Sequence, residues 1–249
     1  DNFKNCFKDV THIVHLAGAG IAEKAWTKKR KKIIVKSRVL TSRLLHSKIS
    51  TLNLNISAFI SASAVGIYGA QVSDKIFTEE DQAFEDFMGN CCKQWENAVD
   101  QFKPITRTVK FRLGVILDKN HGALPRIANM VKNGLGSPLG DGKQYMPWIH
   151  IEDAVNLFFE TILKKNISGT FNAVSGDFID NRNLTIKIGE ELNKKIWLPN
   201  VPSFVLKFLY GEMSDTILKG VKASNKKIKA GGFKFKYEKI EDALREIYS

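Results

Sequence analysis

The feature that most narrows the fold is an alternation along the chain. Apolar runs end in small residues, and each is followed by a stretch with helical periodicity. Residues 10–16 (VTHIVHL) read as a buried strand that empties into Ala17-Gly18-Ala19-Gly20. From Thr27, a suitable N-cap, apolar residues recur at Ile33, Ile34, Leu40, Leu44 and Leu45, which places them on one helical face. A second strand at 58–60 runs into Ser61-Ala62-Ser63, a helix covers 87–102, and a third strand, 108–113, ends at Gly114. Helical pattern resumes at 124–131 and a loop follows through Gly134, Gly136, Gly140 and Gly142. A helix at 151–163 then precedes a short strand at 170–173. Strands alternating with helices are the pattern of a doubly wound parallel sheet, an α/β fold whose ligands bind beyond the carboxyl ends of the strands. The informative residues are therefore 16–20, 61–69 and 112–115. From Leu198 the character changes: Pro199 and Pro202 mark a connection, and short amphipathic pieces follow, with Ser224 as a cap and Gly231-Gly232 as a helix stop. The expected organisation is one unit over 1–197 and a small, mostly helical annex over 198–249.

Composition excludes several classes. With 249 residues, 43% of them hydrophobic, the chain can bury a core. No window approaches the ~18 consecutive apolar residues of a spanning helix. The opening Asp1-Asn2-Phe3-Lys4 lacks the basic stretch and apolar run of a secretory signal, so a cytoplasmic protein without a membrane partner is expected. Of the three cysteines, Cys91 and Cys92 are neighbours whose Cα spacing of ~3.8 Å is too short for an ordinary disulfide, and no metal cluster is expected. The net charge of +12 comes from lysines spread over the whole chain without a nucleic-acid motif, so no specific nucleic-acid partner is expected. The densest run, Lys28-Lys29-Arg30-Lys31-Lys32, reads either as a solvated helix face or as partly facing an anionic ligand, because cations at a helix N-terminus oppose the macrodipole.

Taken together, Val14-His15-Leu16-Ala17-Gly18, residues 59–69 (FISASAVGIYG) and residues 148–153 (WIHIED) resemble the extended short-chain dehydrogenase/reductase superfamily. Within it the chain is similar to the atypical epimerase family, close to NAD-dependent sugar epimerase/dehydratases and carrying a C-terminal annex of the DUF1731 type. The more specific marks are Trp26-Thr27 with Ser37-Arg38, residues 92–96 (CKQWE), 138–144 (PLGDGKQ) and 211–215 (GEMSD), in this order. The resemblance spans essentially the whole chain. It implies a Rossmann-like sheet, and NAD(P)-dependent oxidoreductase or epimerase-like activity on a small carbonyl or nucleotide-sugar-like molecule. NADP is preferred over NAD, and a homodimer through two helices on the flank of the sheet is implied. Proteins of this superfamily begin with a strand, a GxxGxxG-type turn and a helix that holds the cofactor pyrophosphate. Gly18-Ala19-Gly20 aligns instead with the later turn beside the nicotinamide ribose. A strand–helix–strand unit needs ~30 residues and only nine precede Val10. The sheet is thus expected to be N-terminally incomplete and the chain a piece of a longer protein, which alone should hold the cofactor weakly.

The resemblance also assigns the site. Ser63 would orient the substrate carbonyl, and Lys93 would hold the ribose and lower the pKa of a catalytic tyrosine four residues earlier. That position is Gly89. Tyr68 either supplies the missing hydroxyl or serves as a packing or substrate-wall residue. Leu16, Ala17, Gly18, Ser61, Ala62, Arg112, Gly114 and Val115 would line the cofactor. Arg38, with Lys36 nearby, either faces cofactor phosphate or forms an exposed helix salt bridge. Gln144, Tyr145, Trp148 and His150 are the substrate-side candidates, His150 reading equally as a hydrogen-bonded structural residue and Asp153 as a carboxylate at a helix N-terminus. Gly89 motivates the alternative of a cofactor-binding sensor or interaction protein without turnover.

Overall fold

The alternation builds parallel pairing. The computed structural model describes residues 5–249, so the opening tetrapeptide, read as lacking signal character, lies outside the described residues. Strands β1 (His12–His15), β2 (Ala58–Ala64), β4 (Arg107–Leu113) and β7 (Gly169–Ala173) form one parallel sheet in that order. β2 is buried along all but its last residue, as expected of a parallel strand covered on both faces. On one face, α1 (Lys28–Thr51) and α2 (Phe87–Asp100) bring Ile49, Trp95 and Val99 onto Phe59, with Phe102 just beyond α2. On the other, α4 (Ile151–Leu163) brings Ala154 and Leu157 onto Ala58, Ile60, Val109 and Phe111. Helices on both faces make the sheet doubly wound. Among the described residues β1 pairs with β2 alone, and Val14 and Leu16 beside its outer edge are exposed.

The first helix corrects one expectation. Thr27 caps it, its Oγ1 accepting from the Arg30 amide at 3.1 Å. The inward stripe, however, is Ile34, Arg38, Val39, Ser42 and Ile49, while Ile33, Leu40 and Leu44 face solvent. The helix is rotated from the most apolar orientation because its inner side carries polar groups with buried partners. Arg38 Nη1 donates to the carbonyls of Ala19 and Ile34, both at 3.0 Å, and Thr41 Oγ1 lies 2.9 Å from His15 Nε2. Hydrophobic periodicity is blind to such contacts.

Short strands escape the sequence pattern. β3 (Val72–Phe77) pairs in parallel with β8 (Gly220–Ala223), and β5 (Val115–Leu117) with β6 (Trp148–His150). Further α-helices among the described residues are α3 (Leu124–Lys132), α5 (Asn181–Glu191), α6 (Ser203–Tyr210), α7 (Asp215–Leu218), α8 (Lys226–Ala230) and α9 (Ile240–Tyr248). The residues after 198 share the core with those before it. Ile240, Ala243, Leu244 and Ile247 of α9 meet Leu184 and Ile188 of α5 beside Trp148, and Ile228, Phe233 and Phe235 lie with the strands beneath the sheet. Among the described residues no helix is long and apolar enough to cross a membrane.

The fully buried rings of Phe59 and Phe102 stack with centroids 3.7 Å apart. Phe102→Ala should therefore lower the unfolding free energy by about 3–5 kcal/mol, measured by urea denaturation, because the cavity opens between the sheet and α2.

Candidate functional site

The carboxyl ends of β1, β2 and β4 bring the sequence-identified segments to one edge of the sheet. Leu16, Ala17 and Gly18 emerge from β1 exposed. A Cβ on Gly18 would come within 2.9 Å of Arg38 Cζ, so the turn is kept bare where the guanidinium approaches it. The following loop is tethered from several elements. Arg30 donates to the Gly20 carbonyl, Arg126 to that of Ala22 at 3.2 Å, Ser37 Oγ accepts from the Ala19 amide at 2.9 Å, and Trp26 Nε1 donates to the Ile21 carbonyl at 3.0 Å. Arg38 is thus a buried brace on backbone carbonyls, its guanidinium 5.1 Å above the Trp95 ring, rather than an exposed salt bridge. Gly114 follows β4, and a Cβ there would stand 2.6 Å from the Pro147 carbonyl oxygen. The Val115 amide donates to that same carbonyl at 2.7 Å, which locks the turn beside β6.

The side chains pointing inward from these strand ends form a charged network. Ser63 Oγ donates to Glu96 Oε1 at 2.7 Å. Arg112 clamps the same carboxylate with two bonds, Nε to Oε1 at 2.8 Å and Nη2 to Oε2 at 3.0 Å, and Lys110 Nζ stands 3.4 Å from Oε2. Burial alone would raise the pKa of Glu96, but the hydrogen bonds and charge of Arg112, with Lys110 and Ser63, outweigh it and hold the carboxyl below its ordinary value. An ionised carboxylate can only accept, so the Ser63 proton is committed to Glu96. Ser63 is also buried, and it cannot donate to a substrate carbonyl while that bond stands. Arg112, expected beside the cofactor, is buried and turned into this network. Its Nη1 donates to Tyr68 Oη at 3.0 Å and to the Glu79 carbonyl at 3.1 Å.

Tyr68 is fully buried, and its hydroxyl also meets the Thr78 carbonyl at 2.8 Å and Asn172 Oδ1 at 2.7 Å. Burial pushes its pKa up to about 12 against the charge of Arg112. The packing role is the one this geometry supports, and a proton-donor role has no access. Ser61 and Ala62 are buried, with Ser61 Oγ 3.2 Å from His15 Nδ1. Burial, and then the charge of Arg38, lower the pKa of His15.

Gly89 is more than an absence. The N-cap Asp86 accepts from its amide at 2.7 Å, and an ideal Cβ on residue 89 would lie 2.1 Å from the Phe84 carbonyl oxygen. A tyrosine has no room there without moving the 84–89 backbone. One turn on, Lys93 is exposed with Asn90, Gln94 and Asn97 while Met88, Cys92, Trp95 and Glu96 face inward.

The substrate-side candidates are mostly turned away from the strand ends. Trp148 lies in the core against Leu124, Leu184 and Leu244. His150 is buried and caps α4, its Nδ1 accepting from the Glu152 amide at 3.2 Å, with Nε2 2.8 Å from Glu246 Oε2 and the Tyr237 ring centred 4.0 Å away. Gln144 is a buried strut whose Nε2 donates to the carbonyls of Leu139 and Ile217, both at 3.0 Å. Tyr145 is half-buried with the Lys222 ammonium 4.3 Å above its ring. Asp153 accepts from the amides of Lys236 and Tyr237 at 2.8 and 3.0 Å and so holds the segment before α9. Sequence reasoning quoted Glu96 within a motif but gave it no role; its signal is that it lies seven residues from Gly89, on the same inward arc of α2. Lys31 had no role of its own within the basic run. It pairs with Glu212 and lies 4.9 Å from the Phe87 ring, itself edge-on to Trp26 at 4.7 Å.

Comparison with known proteins adds independent findings. Residues 201–247 match the family model described as a domain of unknown function, DUF1731. The chain is 34% identical over 247 residues to the epimerase family protein SDR39U1 homolog, chloroplastic, of Arabidopsis thaliana, covering 98% of this chain and 70% of that protein. It is 35% identical to the epimerase family protein YfhF of Bacillus subtilis, covering 96% of this chain and 80% of the relative. Among solved structures it resembles the human epimerase family protein SDR39U1 (isoform 2) with NADPH, with a TM-score of 0.89, 27% identity, and coverage of 96% of this chain and 82% of that one. The Bacillus cereus UDP-glucuronic acid 4-epimerase, in complex with UDP-glucuronic acid and NAD, shares the fold at a TM-score of 0.79 and 16% identity, over 100% of this chain and 77% of that one.

Two outcomes test the geometry. Gly89→Ala should cost about 1–3 kcal/mol of unfolding free energy by overpacking against Phe84, read by chemical denaturation. Glu96→Gln should cost about 3–5 kcal/mol at neutral pH, because Arg112 is left buried without its counter-charge. The sign with pH follows from the depressed pKa. The stabilisation by Glu96 is full above the ordinary carboxyl value of 4.5 and is lost as pH falls through the lower folded value. The gap between wild type and variant should close along that acid limb.

Proposed function

The chain belongs to the epimerase family of these relatives, and from that membership we propose an NAD(P)-dependent oxidoreductase- or epimerase-like protein that takes NADP(H) in preference to NAD(H) and acts on a small carbonyl or nucleotide-sugar-like molecule. The observation that carries this reading is the gathering of Leu16–Gly18, Ser61–Ser63 and Gly114–Val115 at the carboxyl ends of parallel strands, with Lys93 exposed on α2. The residues fit the nicotinamide–ribose side of such a cofactor. The turn at Leu16–Gly18 is exposed beyond β1, where a cofactor can approach its backbone, and exposed Lys93 offers an ammonium to ribose hydroxyls. When bound, nicotinamide supplies or accepts hydride. This chain would bind and orient: its strand ends hold the ring side, Lys93 holds the sugar, and Ser63 braces the strand end through Glu96. The human relative's structure with NADPH supports the preference for the phosphorylated cofactor. The expected homodimer would use the flank helices, where exposed Ile33, Leu40 and Leu44 of α1 supply apolar contact.

A second reading, cofactor binding without turnover, is favoured by the closed position at Gly89. It leaves no tyrosine beside Lys93 to move a proton.

Calorimetric titration of the full protein should show NADPH binding more tightly than NADH, with Lys93→Ala weakening NADPH by about tenfold or more. No response to either cofactor removes both readings. Product formation on a panel of carbonyls and nucleotide sugars selects the first reading; Lys93-dependent binding with no product selects the second.

A further inference from the structure

Helix α6, with the sequence SFVLKFLY, is apolar on nearly every side, yet of its residues only Leu206 is buried. Phe204 is 73% exposed, Phe208 89% and Leu209 60%. At helical spacing Phe204 and Phe208 share one side, Leu209 lies about a quarter turn or more away and Tyr210 further round, so the apolar surface is not a single stripe. A helix of this composition belongs in a core or at a membrane boundary, and among the described residues no core covers it.

Its surroundings are basic. Lys207 is exposed within α6. The turn that follows carries Glu212, whose ion pair with Lys31 brings this region against the first turn of α1. That turn holds the Lys28-Lys29-Arg30-Lys31-Lys32 run and no acidic residue. Lys31 is occupied by Glu212, and Arg30 by Glu23 and the Gly20 carbonyl, whereas Lys28, Lys29 and Lys32 are exposed. These cations sit at the positive end of a 24-residue helix, where the macrodipole disfavours them. An anionic surface outside the protein gives them a purpose.

We propose that α6 and the lysines at the start of α1 form one docking surface for an anionic phospholipid bilayer, with Phe204, Phe208 and Leu209 entering the headgroup–acyl boundary and Lys28, Lys29, Lys32 and Lys207 engaging the headgroups. This is docking on a membrane, which needs no spanning helix. A second copy suits the surface less well, since an isologous contact would bring the same lysines against each other. A protein groove takes an amphipathic helix along one apolar face, whereas α6 exposes apolar side chains on several sides.

The test is flotation of the full protein with vesicles of phosphatidylcholine alone or doped with phosphatidylserine. The doped vesicles should carry at least about tenfold more protein, and added salt should weaken binding. The F204S/F208S pair should reduce binding to background, and the K28Q/K29Q/K32Q triple should reduce it by about tenfold or more, with thermal melting unchanged because all five side chains are exposed. Phe208→Trp should retain binding and shift its emission to the blue on doped vesicles. Four results would each overturn the proposal: no flotation with doped vesicles, equal flotation with both kinds, a solution dimer dissociated by the serine pair in a protein that ignores vesicles, or capture by polyglutamate as strong as by doped vesicles and insensitive to the serine pair.

Discussion

Glu96 is 5% exposed and remains a carboxylate, a burial that an unpaired charge cannot sustain. Much of the sheet's carboxyl edge is arranged around that requirement. Arg112 from β4 supplies a two-bonded clamp, Lys110 a second cation and Ser63 from β2 a hydroxyl. Arg112 then reaches Tyr68, Tyr68 reaches Asn172 of β7, and Asn172 Nδ2 donates to the Ser224 carbonyl at 3.0 Å, just after β8. A single buried charge thereby couples the central strands, α2 and the C-terminal segment. Removing Glu96 would leave Arg112 buried without its counter-charge, and removing Arg112 would leave Glu96 buried without its clamp.

The same network divides the candidate site into an inward and an outward part. Ser61, Ser63, Tyr68 and Arg112 turn inward and are consumed by hydrogen bonds that hold the fold. What faces outward is backbone at Leu16–Gly18 and the exposed Lys93. Tyr68, its pKa pushed up to about 12 by burial, keeps its proton at physiological pH. A ligand at this edge would therefore meet main-chain groups and a lysine, without the tyrosine that the superfamily resemblance led one to seek.

Legibility differed by the kind of signal. The long strands were readable because an apolar run closed by Gly or Ser is local, and α2 because its apolar arc spans several turns. Strands β3, β5, β6 and β8 were not, being three to six residues long and defined by partners far away in sequence, such as Ile116 against Ile149. The facing of α1 was misjudged at Ile33, Leu40 and Leu44, because the inner side is held by Arg38 and Thr41 rather than by leucines. Trp148 and His150 sit in a motif that pointed to substrate, yet both side chains pack into the core, where motif identity says nothing about direction.

Taken alone, the sequence determined the doubly wound class, the strand ends where a ligand would bind, and the presence of glycine rather than tyrosine ahead of Lys93. Each depends on residues close along the chain: small residues after a strand, a helical offset of four, a periodic apolar arc. The tertiary structure alone decided that position 89 is closed by the Phe84 carbonyl, that the Ser63 proton belongs to Glu96, and that α6 stands uncovered beside the lysines of α1. Those facts rest on distances between groups brought together only when the sheet and helices pack, and burial then sets what charge, proton or surface each group can offer.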